Sequence, residues 1–345
     1  MTAFSAASLL IGVLLTAALV AAVPVSGTEL MAGILRIGWS EIALVVGLTA
    51  FSTALAAEKW HAVANASGLI LSRTSSFSLT AVGAGLGQVV PPQMAVAAVR
   101  GVGARLNQGS ALAGLGTSLV EQAFDVMLFG ILLVASTATY CVGGGGGVWS
   151  AFAVAGLGSG WMSVTYAARV RTKTGTLRRV RGNRIARRVD AAMDLLAARS
   201  GLAQYLFLLS GARCGVLVLL LMASGSALGL PLAPWQIAAS LPFPMLAAGL
   251  VPTPGGLGAN EWTMTAALAA FGVPFEAALP WVLGSRILSL AGSLAVAAIG
   301  AAIAALSCRG FAVVRYGQPA GGLARLRAPG RATADPRSSG RRTID

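Results

Sequence analysis

The run Pro252-Thr253-Pro254-Gly255-Gly256-Leu257-Gly258-Ala259-Asn260-Glu261 interrupts an otherwise apolar segment, residues 235–272. Proline lacks a backbone donor and clashes with the preceding turn, so no continuous helix passes through this run. The flanking residues are nonetheless apolar enough for lipid. Broken backbone at membrane depth survives only against protein or a water-filled cavity. Residues 235–272 therefore read as a re-entrant hairpin of two short helices. Residues 75–100 repeat the pattern, with the break at Pro91-Pro92.

Working outward, the rest of the chain is built for a bilayer. It is 345 residues long, 56% hydrophobic and only 10% charged, against about 25% charged in soluble domains. A span needs about 20 mostly apolar residues. Residues 4–26, 38–58, 111–140, 148–168, 202–228 and 279–307 qualify, with Glu58-Lys59 closing the second. The first run lacks a basic leader, so it reads as a retained helix rather than a cleaved signal. Gly143 to Gly147 has no lysine or following Ser/Thr and reads as a turn, not a phosphate loop. The fold class is all-α: a polytopic membrane protein of about six full spans plus two re-entrant hairpins. Span, broken hairpin and span occur twice in opposite orientation. That pattern implies an inverted repeat with a binding site near the membrane midplane.

The net charge of +14 invites a nucleic-acid reading, but its placement removes it. Residues 169–199 hold ten Arg/Lys and two Asp, and residues 309–345 hold eight Arg and two Asp. The remaining chain holds seven basic and seven acidic side chains and is neutral. By the positive-inside rule both basic segments are cytoplasmic, which also places the N-terminus inside. Arginine outnumbers lysine 23 to 2, a bias of GC-rich bacterial genomes, so the expected location is the bacterial inner membrane. Residues 1–308 form the membrane domain, with 309–345 a polar tail. Cys141, Cys214 and Cys308 are far apart and His61 is the single histidine. No metal site, cofactor or catalytic residue is expected.

Ionisable groups inside lipid are costly, so they carry the functional reading. Glu121 and Asp125 are four apart on one helix face, about 15–21 Å into their span at 1.5 Å per residue. Arg213 lies at similar depth, and Arg286 about 10 Å inside the last span. Arg100 follows the first break and Glu261 the second. A helix that starts after Gly258 points free N–H groups and a positive dipole end into the break. Gly255, Gly256 and Gly258 let a ligand approach the backbone. With the forked guanidinium of arginine, this arrangement suits a phosphate or carboxylate head group. Two readings stand side by side. Arg100, Arg213, Arg286 and the three glycines bind the head group, while Glu121, Asp125 and Glu261 balance charge or carry a coupling proton. Alternatively, the acids and arginines pair to hold the bundle together. His61, beside Trp60 at a membrane boundary, reads as an interfacial residue.

At these motifs the chain resembles the transmembrane region of lysylphosphatidylglycerol synthases and their stand-alone, flippase-like relatives. The run Pro252 to Glu261, followed by Gly272-Val273 and Arg286, carries the likeness, supported by Pro92 to Arg100 and by Glu121 with Asp125. Where that family commonly has Gly-Glu before the arginine, this chain has Val96-Ala97. Gln122 stands where the family has arginine. The resemblance implies handling of anionic lipids or lipid-linked precursors. The expected function is a transporter carrying an anionic lipid between leaflets: a phospholipid, an aminoacyl-phospholipid or a polyprenyl-phosphate-linked lipid. The alternative is a non-catalytic membrane partner of a separate lipid synthase or glycosyltransferase. A membrane-embedded head-group enzyme has less support, because no nucleophile adjoins a base and no soluble catalytic domain follows.

Overall fold

The computed structural model describes residue 14 and residues 37–107, 109–174, 200–250 and 253–316. The readings of 4–26, of 175–199 and of the tail beyond 316 fall outside these residues. The chain divides into a large unit, Met1–Ala304, and a short one, Ala305–Asp345. Every contact below lies in the large unit, and the described part of the short one is helical.

The described structure is helical throughout. In chain order the elements are α1 Trp39–Ala66, α2 Arg73–Leu86, α3 Pro92–Leu106, α4 Ala111–Cys141 and α5 Gly146–Thr174. There follow α6 Ser200–Ala227, α7 Pro234–Ser240, α8 Pro242–Leu250, a single 3-10 turn Pro254–Gly256, α9 Ala259–Ala270 and α10 Phe275–Tyr316. Local chemistry sets the boundaries. Ser72 caps α2 by accepting from the Ser75 N–H at 3.0 Å, and Ser110 caps α4 by accepting from the Ala113 N–H at 3.0 Å. Pro92, Pro234 and Pro242 occupy first helical positions, where the missing N–H costs nothing.

Four described helices are long and apolar enough to cross a membrane: α1, α4, α6 and α10. They correspond to four of the expected spans. The expected span at 148–168 is a helix of 29 residues, long enough to cross but not among those four. The chain is a multi-pass membrane protein, and its outer surface agrees. In α10 only 22% of the most apolar window is buried, and Leu290, Leu294 and Ile299 face outward. Such apolar exposure needs lipid.

Both broken segments are hairpins. The first is α2 and α3 around Gly87 to Pro91. The second is subtler than expected, because its first arm is itself split between Ser240 and Pro242 into α7 and α8. Pro242 and Pro244 account for the split, since neither supplies an N–H to the ladder. Small residues let the helices touch. A Cβ on Gly83 of α2 would lie 2.9 Å from the Val96 Cα of α3. One on Gly114 of α4 would lie 2.7 Å from the Arg100 carbonyl oxygen. Close approach of backbones is the usual basis of helix association in lipid, where apolar burial gives no drive. The main apolar core lies among α4, α5 and α6, where Phe124, Leu128, Leu132, Leu206 and Phe207 are buried together. A second cluster packs α7, α9 and α10 around Ile237, Leu268 and Trp281.

Candidate functional site

Three cations and two carboxylates meet inside the bundle. Glu121 of α4 is 2% exposed. One of its oxygens accepts from Lys59 Nζ of α1 at 2.9 Å, and the other from Arg100 Nη1 of α3 at 2.7 Å. One turn along α4, Asp125 bridges Lys59 and Arg213 of α6 through its two oxygens. Lys59 also reaches Ser210 Oγ at 3.1 Å. Arg100 is saturated. Its Nε and Nη2 donate to Thr80 Oγ1, Nη1 to Ser118 Oγ and Glu121, and Nη2 to the Ala56 carbonyl. Its guanidinium lies 4.9 Å from the Trp60 ring centroid. Trp60 is itself fully buried and donates to Thr117 Oγ1 at 3.1 Å. The network therefore ties α1, α2, α3, α4 and α6 together. Its partly exposed members are Arg213, whose side chain is 29% exposed, and Asp125, at 14%.

The second group forms where the two hairpins meet. The Gly255 N–H approaches the Val90 carbonyl at 3.5 Å, joining the tip of the second hairpin to that of the first. Gly255, Gly256 and Gly258 adopt φ of 59°, 74° and 79°, the left-handed region that glycine enters without strain. A Cβ on Gly255 would lie 3.1 Å from the Gln88 carbonyl oxygen. Arg286 of α10 donates through Nη2 to the Gly255 carbonyl and pairs through Nε with Glu261 at 3.4 Å. Glu261, on the first turn of α9, is 2% exposed and the Arg286 side chain 26%. Among the described residues, several polar atoms here are buried without a hydrogen-bond partner: Thr253 Oγ1, Asn260 Oδ1 and Glu261 Oε2.

The structure thus joins each acid with an arginine of the expected set: Glu121 with Arg100, Asp125 with Arg213, Glu261 with Arg286. The two groups differ in access. Arg100 has no donor left for a head group, whereas Arg213 and Arg286 are both partly open. The N–H groups of Gly255 and Gly256 are used within the fold, by Val90 and by Thr253 at 3.0 Å. The first intrahelical bond of α9 is Trp262 N–H to Gly258 at 2.9 Å. The N–H groups at the head of the helix are therefore those of Ala259, Asn260 and Glu261. Arg286 sits deeper than expected, because α10 starts at Phe275 rather than 279. At 1.5 Å per residue it is about 16 Å along the helix.

Two readings need correction. Lys59 does not close the second span; α1 continues to Ala66, and Lys59 is fully buried at the centre of the network. Successive helical residues point about 100° apart. Glu58 therefore turns outward to Arg73 and Tyr205 while Lys59 turns inward. Likewise no membrane boundary falls at Trp60, the neighbour of His61, because Trp60 is fully buried in the core.

Long apolar helices around two broken hairpins, with ion pairs enclosed between them, define a polytopic α-helical membrane domain. The chain belongs to the family of lysylphosphatidylglycerol synthase transmembrane regions, whose sequence profile matches residues 7–300. A comparison with curated proteins finds no match.

Proposed function

We propose that this protein is a transporter that moves an anionic lipid between leaflets of the bacterial inner membrane, with both termini cytoplasmic. It does so without catalysing a reaction on the lipid. The observation that carries the reading is the junction of the two hairpin tips, where Arg286 stands partly exposed beside buried acceptors without a partner among the described residues. Each unsatisfied buried group costs about 1–3 kcal/mol, and such a concentration is retained where a ligand meets it. Arg286 and the first N–H groups of α9 suit a phosphate. Glu261 Oε2 and Asn260 Oδ1 suit the hydroxyl or ammonium donors that head groups carry beyond the phosphate. The opposed hairpins act as the halves of an inverted repeat, exchanging access between leaflets around their shared tips.

The test is movement of labelled phosphatidylglycerol in vesicles reconstituted with the full chain. Transport that falls at least tenfold in Arg286→Ala supports the reading. Equal transport by parent, variant and empty vesicles refutes it. Co-purification with a lipid synthase or glycosyltransferase, combined with no transport by the chain alone, would favour the partner role instead.

A further inference from the structure

In the first group, each carboxylate holds a cation on each of its two oxygens. Glu121 takes Lys59 and Arg100, and Asp125 takes Lys59 and Arg213. Glu261 departs from this pattern. Its Oε1 takes Arg286 at 3.4 Å, while its Oε2 has no partner among the described residues, although the side chain is only 2% exposed. An ionised carboxylate oxygen can only accept, and leaving it unmet in a buried place is costly. Two more oxygens in the same break share its condition. Thr253 Oγ1 and Asn260 Oδ1 are buried and likewise without a partner among the described residues.

The 3-10 turn gathers these residues into one break. The Thr253 carbonyl accepts from the Gly256 N–H at 3.0 Å and closes the turn. Asn260 folds back over it, since a Cβ on Gly256 would lie 2.2 Å from Asn260 Nδ2 and 3.0 Å from Oδ1. Glu261 comes next, and Arg286 ties it to the Gly255 carbonyl. Just before Thr253, α8 ends at Leu250, so its carbonyl end and negative dipole end lead into the same break. The three unmet atoms are a carboxylate, an amide and a hydroxyl oxygen. Oxygens suit hard cations rather than zinc or copper. Among the described residues no three His, Cys, Asp or Glu side chains gather to hold a metal ion. One carboxylate, already shared with Arg286, leaves too little negative charge for a divalent ion, so a monovalent one fits. Broken helices in transporters coordinate such ions through oxygens of the unwound segment. The first group shows the same arrangement with a tethered cation: Lys59 Nζ sits between Glu121, Asp125 and the Ser210 hydroxyl. Residues 235–286 contain no lysine to play that part.

We propose that the second break binds one alkali metal cation through Glu261 Oε2, Asn260 Oδ1 and Thr253 Oγ1, and that a lipid head group docking at Arg286 displaces it. The displacement rests on the lipid-transport reading above, whereas the cation site stands on the break alone. With the cation bound, Glu261 holds a positive charge on each oxygen, as Glu121 and Asp125 do. When a head group arrives, its phosphate takes Arg286. Its hydroxyl donors then take Glu261 Oε2 and Asn260 Oδ1 in the cation's place. The two occupants cannot share those oxygens, so loading of lipid is tied to release of the ion.

The experiment follows the thermal transition of the purified full chain in detergent as sodium or potassium chloride replaces N-methylglucamine chloride at constant ionic strength, so that screening does not change. The expected result is a transition that rises with one of the alkali ions as single-site binding requires; the two arms identify the ion. Glu261→Gln and Thr253→Val are expected to flatten the response. Thr253→Val removes an unmet hydroxyl, so without alkali ions it is expected to be at least as stable as the parent, which separates a lost site from a misfolded protein. A parent that responds to neither ion, or a Thr253→Val protein that responds like the parent, overturns the cation site. Short-chain phosphatidylglycerol is then titrated with and without the ion. At about ten times the ion's own midpoint, the apparent affinity for the lipid is expected to fall about tenfold. Phosphatidylglycerol bound equally well in both conditions overturns the displacement. Failure to bind phosphatidylglycerol at all overturns the lipid reading and the displacement with it, while the thermal response decides the cation site independently.

Discussion

Glu121→Gln keeps the side-chain volume but removes the charge between Lys59 and Arg100, its partners at 2.9 and 2.7 Å. Both cations stay buried, Lys59 at 0% and Arg100 at 1% exposure, so neither can reach water to recover solvation. The network then holds three cations against Asp125 alone. Hydrogen bonds between membrane helices average only about 0.6 kcal/mol, so lost bonds are the smaller part of the effect. Removing one partner of a buried ion pair costs about 3–5 kcal/mol, because the other charge is left uncompensated. We take the lower end, about 3 kcal/mol, since glutamine still accepts one hydrogen bond. That is about 150-fold in the unfolding equilibrium. Equilibrium unfolding in mixed micelles, followed by the fluorescence of the chain's seven tryptophans, measures it. Adding Lys59→Met should recover at least about 1.5 kcal/mol relative to the sum of the single effects, because it removes one of the stranded charges. A Glu121→Gln protein within about 0.5 kcal/mol of the parent, or strict additivity of the two substitutions, would refute the reasoning.

The other expectations follow from the same geometry. Asp125→Asn should cost less, about 1–2 kcal/mol, because both Asp125 and Arg213 have access to the surface and exposure weakens the pair; the same unfolding assay measures it. Gly255→Ala places a Cβ in a left-handed residue 2.7 Å from the Arg286 guanidinium. About 1–3 kcal/mol of strain is expected, with transport lost more than stability; parallel unfolding and vesicle assays separate the two. Gly114→Val forces α3 and α4 apart, because even a Cβ would sit 2.7 Å from the Arg100 carbonyl oxygen. The expected cost is about 1–3 kcal/mol, seen as a lowered thermal transition in detergent.

The hairpins were legible because proline has one physical consequence wherever it falls: Pro91-Pro92 and Pro252 to Pro254 had to break the helices that contain them. The acid–arginine set was legible because charge inside an apolar run has few ways to persist. The pairing itself was not, since it depends on which helix faces stand opposite one another. Lys59 was hidden for a local reason. Two adjacent charges after an apolar run resemble a membrane boundary, and only the helical rotation between Glu58 and Lys59 separates the surface residue from the buried one. A helix extended by two turns past a charged pair, with tryptophan immediately after, is the signal that would have found it. The split of the second hairpin's first arm at Leu241 was announced by Pro242 and Pro244. The contact of Gly255 with Val90 had no sequence signal, because it joins residues over 160 positions apart.

The most direct test of lipid transport is the initial rate of phosphatidylglycerol movement in reconstituted vesicles, compared between the parent and Arg286→Ala at equal, verified protein incorporation. The account predicts protein-dependent movement in the parent, weaker for phosphatidylcholine, and a loss of at least about tenfold in the variant, the 1.4 kcal/mol of one charge-assisted phosphate contact. Parent and variant moving both lipids at the same rate would contradict it.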